Sequence, residues 1–149
     1  MKAVVQRVSG GGVDIPSHHH NQTIGIGLVI LLGVTHDDTV EEVNFVADKC
    51  CNLRIFEDEN EKMNLSLKDV DGEVLIISQF TLYGDARKGN RPSFVNAAPP
   101  EKANELYEKF IERVKNNIGS EKVKTGIFGA MMNVKILNDG PVTILVESK

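Results

Sequence analysis

Apolar and polar positions along the chain change period several times, and each change marks an element. Lys2 to Ser9 reads as a strand; Gly10-Gly11-Gly12 then breaks it, and a short hairpin is predicted over Val13 to Ile26 around Pro16–Asn21. Leu28 to Thr35 is a continuous apolar run between a glycine and a pair of aspartates, the pattern of a strand buried on both faces. Behind it the period becomes helical. Thr39-Val40-Glu41-Glu42 has the form of a capping box, and Val40, Val43, Val46, Ala47, Cys50 and Cys51 carry a helix to about Leu53.

Arg54 to Phe56 is read as a short strand, followed by an acidic turn over Glu57 to Glu61 and an irregular piece to Asp71-Gly72. Glu73 to Leu82 is predicted as one strand that runs through Ser78-Gln79-Phe80-Thr81-Leu82, and Tyr83 to Ala98 as a loop. Pro99-Pro100 opens the clearest helix, because proline suits a first turn. Its apolar stripe is Ala103, Leu106, Tyr107, Phe110, Ile111, Val114 and Ile118. Strands near Val123–Thr125 and Met132–Leu137 lead to a Gly140-Pro141 turn, and Val142 to Val146 follows it. The pattern predicts one α+β domain over residues 1–149, mainly antiparallel, with two main helices.

Composition narrows the picture in a few places. At 149 residues with 41% hydrophobic content, the chain can bury a core and is not disordered. A net charge of −4 argues against a general nucleic-acid coat protein but leaves room for a local basic patch. The longest apolar run, Leu28 to Val34, is too short to cross a membrane, and no signal peptide is evident, so a soluble cytoplasmic protein is expected. Cys50 and Cys51 are neighbours and read as small buried hydrophobes.

Candidate chemistry is sparse. His18-His19-His20 offers two side chains on one strand face and reads as a solvated hairpin tip, with no metal expected. All four histidines fall between His18 and His36, with no local motif for a Ser-His-Asp triad. The glycine clusters lack a dinucleotide or phosphate-loop order. Thr81 is a hydroxyl at the end of a β-former run, but a threonine nucleophile needs a base, and Ser78, Gln79 and Phe80 supply none. The segment is better suited to presenting backbone N–H groups and a Gln amide, which can stabilise acyl transfer without a catalytic side chain. Arg87-Lys88-Gly89-Asn90-Arg91 puts three cations into an otherwise acidic chain, the pattern of either a solvated loop or a phosphate contact. Asn138-Asp139-Gly140-Pro141-Val142-Thr143 places a rigid kink among β-formers, where two carbonyls can point the same way and the glycine has no side chain to block a ligand.

Along its whole length the chain resembles the D-aminoacyl-tRNA deacylase family. The resemblance runs through Ala3-Val4-Val5-Gln6-Arg7-Val8, Asn52-Leu53-Arg54-Ile55-Phe56, Ser78-Gln79-Phe80-Thr81-Leu82-Tyr83-Gly84, Arg87-Lys88-Gly89-Asn90-Arg91-Pro92-Ser93-Phe94 and Asn138-Asp139-Gly140-Pro141-Val142-Thr143. The Val13–Thr23 hairpin departs from the family's usual short turn. The resemblance implies a barrel-like core, a tight homodimer, no cofactor, and hydrolysis of D-aminoacyl-tRNA. It further implies a cis Gly140-Pro141 pair that enters the partner subunit's pocket as a chiral gate, braced by Arg7 with support from Asn138 and Thr143. Ser78, Gln79, Phe80 and Thr81 would line the pocket, with Gln79, Phe80 and Thr81 as the catalytic backbone donors and Phe128 and Met132 on its wall. Arg87, Lys88 and Arg91 would meet tRNA, whose own terminal 2′-hydroxyl would assist catalysis. A gate that works by steric exclusion leaves glycine unrejected, so glycyl-tRNA, including glycine mischarged on the alanine tRNA, is an expected second substrate.

Overall fold

One unbroken strand, β1 (Lys2–Ile15), organises the main sheet. The computed structural model describes residues 1–148. The first half of β1 pairs antiparallel with β3 (Gly27–Gly33), from Lys2 opposite Gly33 to Val8 opposite Gly27. Its second half pairs antiparallel with β2 (His20–Ile24), and its other edge carries β8 (Asn133–Glu147), also antiparallel. β3 pairs in parallel with β6 (Glu73–Ser78), and β6 in parallel with β7 (Val123–Thr125). His20 Nε2 lies 2.8 Å from the Thr125 carbonyl oxygen, which brings β2 to β7 and nearly closes the sheet into a barrel.

Strand periodicity sorts the core into two layers. Leu28, Ile30 and Leu32 of β3, with Val74 and Ile76 of β6, face helices α1 (Val40–Asn52) and α2 (Pro100–Ile118). Val29, Leu75 and Ile77 face the opposite way and pack with Val8, Val13, Ile15 and Ile24. Both faces of β3 are thus apolar and covered, which is why its sequence is a continuous run. Thr39 caps α1 as predicted, with Glu42 Oε2 accepting from the Thr39 N–H at 2.7 Å. Arg113 on α2 donates to both Asp48 oxygens on α1, at 2.8 and 2.7 Å, and fastens the helices. Among the described residues no helix is long and apolar enough to cross a membrane.

Four expectations shift. Gly10-Gly11-Gly12 does not end β1; a Cβ on Gly11 would stand 3.1 Å from the Lys135 carbonyl oxygen, and one on Gly12 3.0 Å from that of Gln22. The glycines thus permit close strand approach in mid-strand. The segment predicted as irregular contains a short ladder, β4 (Phe56–Glu57) with β5 (Met63–Leu65), so the strand expected at Arg54–Phe56 begins later. β6 stops at Ser78, after which Phe80–Tyr83 forms a 3-10 turn. The strands expected on either side of Gly140-Pro141 are a single strand, β8, that loops out and returns.

Candidate active site

The pairing of β1 with β8 contains the first half of the site. Gln6 faces Thr143 and Val8 faces Asn138, so Arg7 alone opposes Asp139, Gly140, Pro141 and Val142. These residues leave the ladder as an excursion, and the Gly140–Pro141 peptide within it is cis. Gly140 has φ +122°, a region that side chains rarely enter. A Cβ there would also lie 2.8 Å from Val142 Cγ2 and 3.0 Å from Arg7 Nη2.

Arg7 is only 6% exposed, so its charge must be paired and its donors used. Its Nε donates to the Asp139 carbonyl at 3.2 Å and its Nη1 to the Ile55 carbonyl at 2.8 Å. The carboxylates of Asp139 and Glu57 lie 3.4 and 3.9 Å away, both half exposed. Asn138 Nδ2 donates to the Val142 carbonyl at 3.0 Å and the Arg7 carbonyl at 3.1 Å. Thr143 is back in the ladder, where its hydroxyl accepts a 3.4 Å bond from Gln6 Nε2.

The second half follows β6. The Gln79 N–H donates to the Leu32 carbonyl at 2.7 Å and prolongs the parallel ladder by one bond. The chain then turns, with Leu82 N–H donating to the Gln79 carbonyl and Gly84 N–H to that of Thr81. Within the described residues this leaves the N–H groups of Phe80 and Thr81 without a hydrogen-bond partner, as at the start of any helical turn. Of the three backbone donors expected here, Gln79 is occupied and Phe80 and Thr81 are free. Gln79 Nε2 donates to Thr81 Oγ1, and no titratable side chain hydrogen-bonds that hydroxyl.

An aromatic pair stands over the turn. Phe94 meets Phe80 edge-on at 5.1 Å between ring centres and packs against Gly84, where a Cβ would be 2.9 Å from Phe94 Cε1. Both rings are substantially exposed. Phe94 was not singled out from the sequence; its signal was an aromatic residue just beyond the cationic loop. That loop is closed by reciprocal backbone bonds between Asp85 and Ser93, of 2.7 and 2.9 Å. Arg87 forks onto Asp85 at 2.9 and 2.7 Å, and this hydrogen-bonded partner holds the Asp85 carboxyl down at about 2. Lys88 and Arg91 form no ion pair among the described residues. Beside the loop lies an open groove of about 550 Å³ that includes Lys2, Tyr83, Asp85, Arg87 and Asn96. Burial pushes the Tyr83 phenol up, and Lys2 Nζ sits 4.8 Å from its ring centre.

Phe128 and Met132 lie just beyond β7, near the end of β6. Phe128 packs against Tyr107, with ring centres 6.0 Å apart, while Met132 covers Gly126 near Ile77. The hairpin histidines do not share a partner: His18 Nδ1 is 2.8 Å from Ser17 Oγ, and His20 joins Thr125 on β7. No cluster of three potential metal ligands occurs among the described residues.

The two halves are far apart within one chain. Gln79 bonds to Leu32, which faces Ala3, whereas the excursion faces Arg7, four positions further along β1. At about 3.3 Å per residue that is roughly 13 Å, and the three strand spacings from β8 to β6 add about 14 Å in the perpendicular direction. The excursion of a chain therefore does not lie over that chain's own Phe80 and Thr81 donors.

Comparison with known proteins identifies the family and the fold. A family model described as D-Tyr-tRNA(Tyr) deacylase matches residues 4–147. A protein from Clostridioides difficile (strain 630) named D-aminoacyl-tRNA deacylase is 57% identical, with 99% of this chain and 97% of the relative covered. One of the same name from Thermosipho africanus (strain TCF52B) is 53% identical, with 100% and 98% covered. The solved structure of c-Myc DNA Unwinding Element Binding Protein superposes with a TM-score of 0.93 at 44% identity, covering 100% of this chain and 99% of that one. A structure titled "a probable eukaryotic D-amino acid tRNA deacylase" shares the fold at a TM-score of 0.85 and 17% identity, with 98% of each chain covered. Matched from end to end by the model and by relatives more than half identical to it, the chain belongs to the D-Tyr-tRNA(Tyr) deacylase family.

Proposed function

We propose that the protein is an editing hydrolase that cleaves the ester between a D-amino acid and the terminal ribose of tRNA. The observation that carries this reading is the braced Gly140–Pro141 excursion in a chain of this family. The free N–H groups of Phe80 and Thr81 are suited to the oxyanion that develops on the ester carbonyl when water attacks. The tRNA's own terminal 2′-hydroxyl assists that water, a role consistent with a site whose one hydroxyl has no basic partner. Ser78 and the Gln79 amide line the pocket, with Phe128 and Met132 along its wall. Lys88 and Arg91, and Arg87 to the extent that Asp85 releases it, contact tRNA phosphates.

The working unit is a homodimer in which Gly140 and Pro141 of one subunit enter the pocket of the other. Two features support this. The excursion is remote from its own chain's donors, and β8 has a free edge among the described residues, flanked by exposed Leu137 and Leu145. A long apolar edge strand is a ready surface for a second copy. Carbonyls held rigidly in the pocket reject an L side chain by exclusion. Glycine escapes that rejection, so glycyl-tRNA, including glycine on the alanine tRNA, is a further substrate. The editing role belongs in the cytoplasm with translation.

Deacylation of D-tyrosyl-, L-tyrosyl- and glycyl-tRNA by the purified protein tests the proposal. Cleavage of the D and glycyl esters with the L ester spared is expected. Cleavage of the L ester at a similar rate would overturn it, and D cleavage without glycyl cleavage would remove steric exclusion as its basis. Substrate ending in 2′-deoxyadenosine should resist hydrolysis; an unchanged rate would remove the 2′-hydroxyl from the mechanism.

A further inference from the structure

We propose that the groove at the foot of the cationic loop, with Lys2, Asn96 and the Ala86 N–H as its donors, binds a backbone phosphate of the single-stranded 3′ end of tRNA. The identity of the occupant rests on the deacylase reading above; the anion-binding chemistry does not. Four parts of the chain wall the groove: Lys2 at the start of β1, Tyr83 at the end of the 3-10 turn, Asp85 to Arg87 on the loop, and Asn96 beyond it. Packing fixes these walls. Lys2 stands opposite Gly33 in the β1–β3 ladder, and a Cβ on Gly33 would lie 3.1 Å from Leu82 Cβ and 3.2 Å from Tyr83 Cδ2. The bare glycine therefore lets the turn settle against β3, which brings the Tyr83 ring to Lys2 Nζ, 4.8 Å from its centre. On the far side the Thr35 hydroxyl donates to the Asn96 carbonyl at 2.6 Å, and the Ala98 N–H donates to Val34 at 2.9 Å.

The polar groups these walls leave unused are donors. Asp85, the one carboxylate lining the groove, is already consumed. Its Oδ1 accepts from the Arg87 N–H at 3.0 Å and from Nε at 2.9 Å, and its Oδ2 accepts from Nη2 at 2.7 Å. Lys2 forms no ion pair among the described residues, although Glu147 stands opposite it on β8. The Asn96 carboxamide and the Ala86 N–H likewise have no hydrogen-bond partner among the described residues. Burial pushes the Tyr83 phenol up, so its hydroxyl keeps its proton. An ammonium, an amide and a backbone N–H beside a neutralised acid suit an oxyanion.

The position selects the occupant. The 3-10 turn rises about 2 Å per residue, so Tyr83 lies about 4 Å beyond Thr81 along it. The groove thus adjoins the free Phe80 and Thr81 N–H groups, whereas Lys88 and Arg91 stand further along the loop. A strand whose terminal ester sits at those donors brings its last phosphates to the groove, where Lys2 meets one as a point charge.

The test measures binding of uncharged tRNA to the full-length protein against salt concentration, for wild type, Lys2→Met, Asn96→Ala and Lys62→Met. The last removes an equal charge from the exposed turn between β4 and β5. Lys2→Met should weaken binding about three- to tenfold at about 0.1 M salt and lower the slope of log K against log salt by about 0.7–1. Asn96→Ala should weaken binding about two- to fivefold at the wild-type slope, and Lys62→Met should keep that slope. Hydrolysis gives a second readout. In Lys2→Met, kcat/KM for D-tyrosyl-tRNA should fall at least about threefold further than for the D-tyrosyl ester of adenosine, which carries no phosphate, with the loss in KM.

An unchanged slope in Lys2→Met, an equal drop in Lys62→Met, or equal losses on the two esters overturns the proposal. So does loss of inorganic phosphate binding in Lys2→Met with the tRNA slope intact, which would make the groove a free-phosphate site. Should Lys2→Met fail to fold by circular dichroism, Asn96→Ala decides, and wild-type affinity in that variant overturns the assignment. Wild-type protein that shows these binding slopes but leaves D-tyrosyl-tRNA intact would instead overturn the deacylase reading and leave the groove standing.

Discussion

Thr81→Ala separates two chemistries whose expected magnitudes differ by orders of magnitude. In the structure the Thr81 hydroxyl accepts one hydrogen bond from the Gln79 amide and has no basic partner. A neutral hydrogen bond of this kind contributes about 0.5–1.5 kcal/mol net. Losing about 1 kcal/mol of positioning corresponds to roughly a fivefold drop in rate. The alanine variant keeps the backbone N–H, so the donor proposed for the oxyanion survives. Removing a true nucleophile, by contrast, costs on the order of 10⁶-fold. Single-turnover hydrolysis of D-tyrosyl-tRNA by wild type and Thr81→Ala reads the difference directly. A drop of about five- to tenfold is expected, with no covalent acyl adduct by mass spectrometry. A loss approaching about 10⁴-fold, or an adduct on Thr81, would refute the reasoning and return the hydroxyl to the centre of the mechanism.

Gly140→Ala forces a side chain onto a backbone at φ +122° and within 2.8 Å of Val142 Cγ2. With local strain of about 1–3 kcal/mol, D-tyrosyl-tRNA cleavage should fall by at least about tenfold while the melting temperature drops a few degrees; unchanged kinetics would detach the excursion from the reaction. Arg7→Met leaves the Asp139 and Ile55 carbonyls without their donor and should cost about 3 kcal/mol in urea unfolding, with a loss under about 1 kcal/mol counting against the brace. Hydrogen bonding from Arg113 holds the Asp48 carboxyl down at about 2, against the usual 3.8. The folded pKa is depressed, so the pair stabilises the protein above about pH 4 and loses that contribution as pH falls towards 2. Asp48→Asn should therefore flatten the acid limb of melting temperature against pH, and an unchanged limb would show the pair to be without effect.

The helices were legible because their signals are local. Thr39 and Glu42 form the capping box that their spacing implied, and the stripe of α2 from Ala103 to Val114 is the face that is buried. The strands were legible where one face or both faces are consistently apolar, as in β3. Errors arose where a residue serves a partner distant in sequence. Gly10-Gly11-Gly12 looks like punctuation, yet these glycines sit in mid-strand because Lys135 and Gln22 approach closely. Leu82 is a β-former, but the ladder ends after the Gln79 bond to Leu32, and nothing in the local sequence records that β3 ends there. At the candidate site, Gly140-Pro141 is conspicuous in the sequence and Ser78–Thr81 stands out by its residue types. Which N–H groups of Gln79, Phe80 and Thr81 stay free was invisible, because it depends on which one the neighbouring strand consumes. The bond from Asn138 to Val142 and the place of Phe94 over Phe80 are tertiary in the same sense.

The pairing of β1 with β8 also bears on how the molecule is made. Lys2 faces Glu147 and Asp14 faces Asn133, so the partners along this ladder are more than about a hundred residues apart. During synthesis β1 must wait, with one edge unsatisfied, until the distant β8 has also been made. Sheets closed by such distant partners form slowly, and their waiting edges invite aggregation. The excursion opposite Arg7 and the edge of β8 arise only when β8 joins β1. A nascent chain can therefore assemble its helices and the β3–β6 pair while it still lacks both the excursion and the edge of β8, so whatever depends on either waits for the β1–β8 ladder.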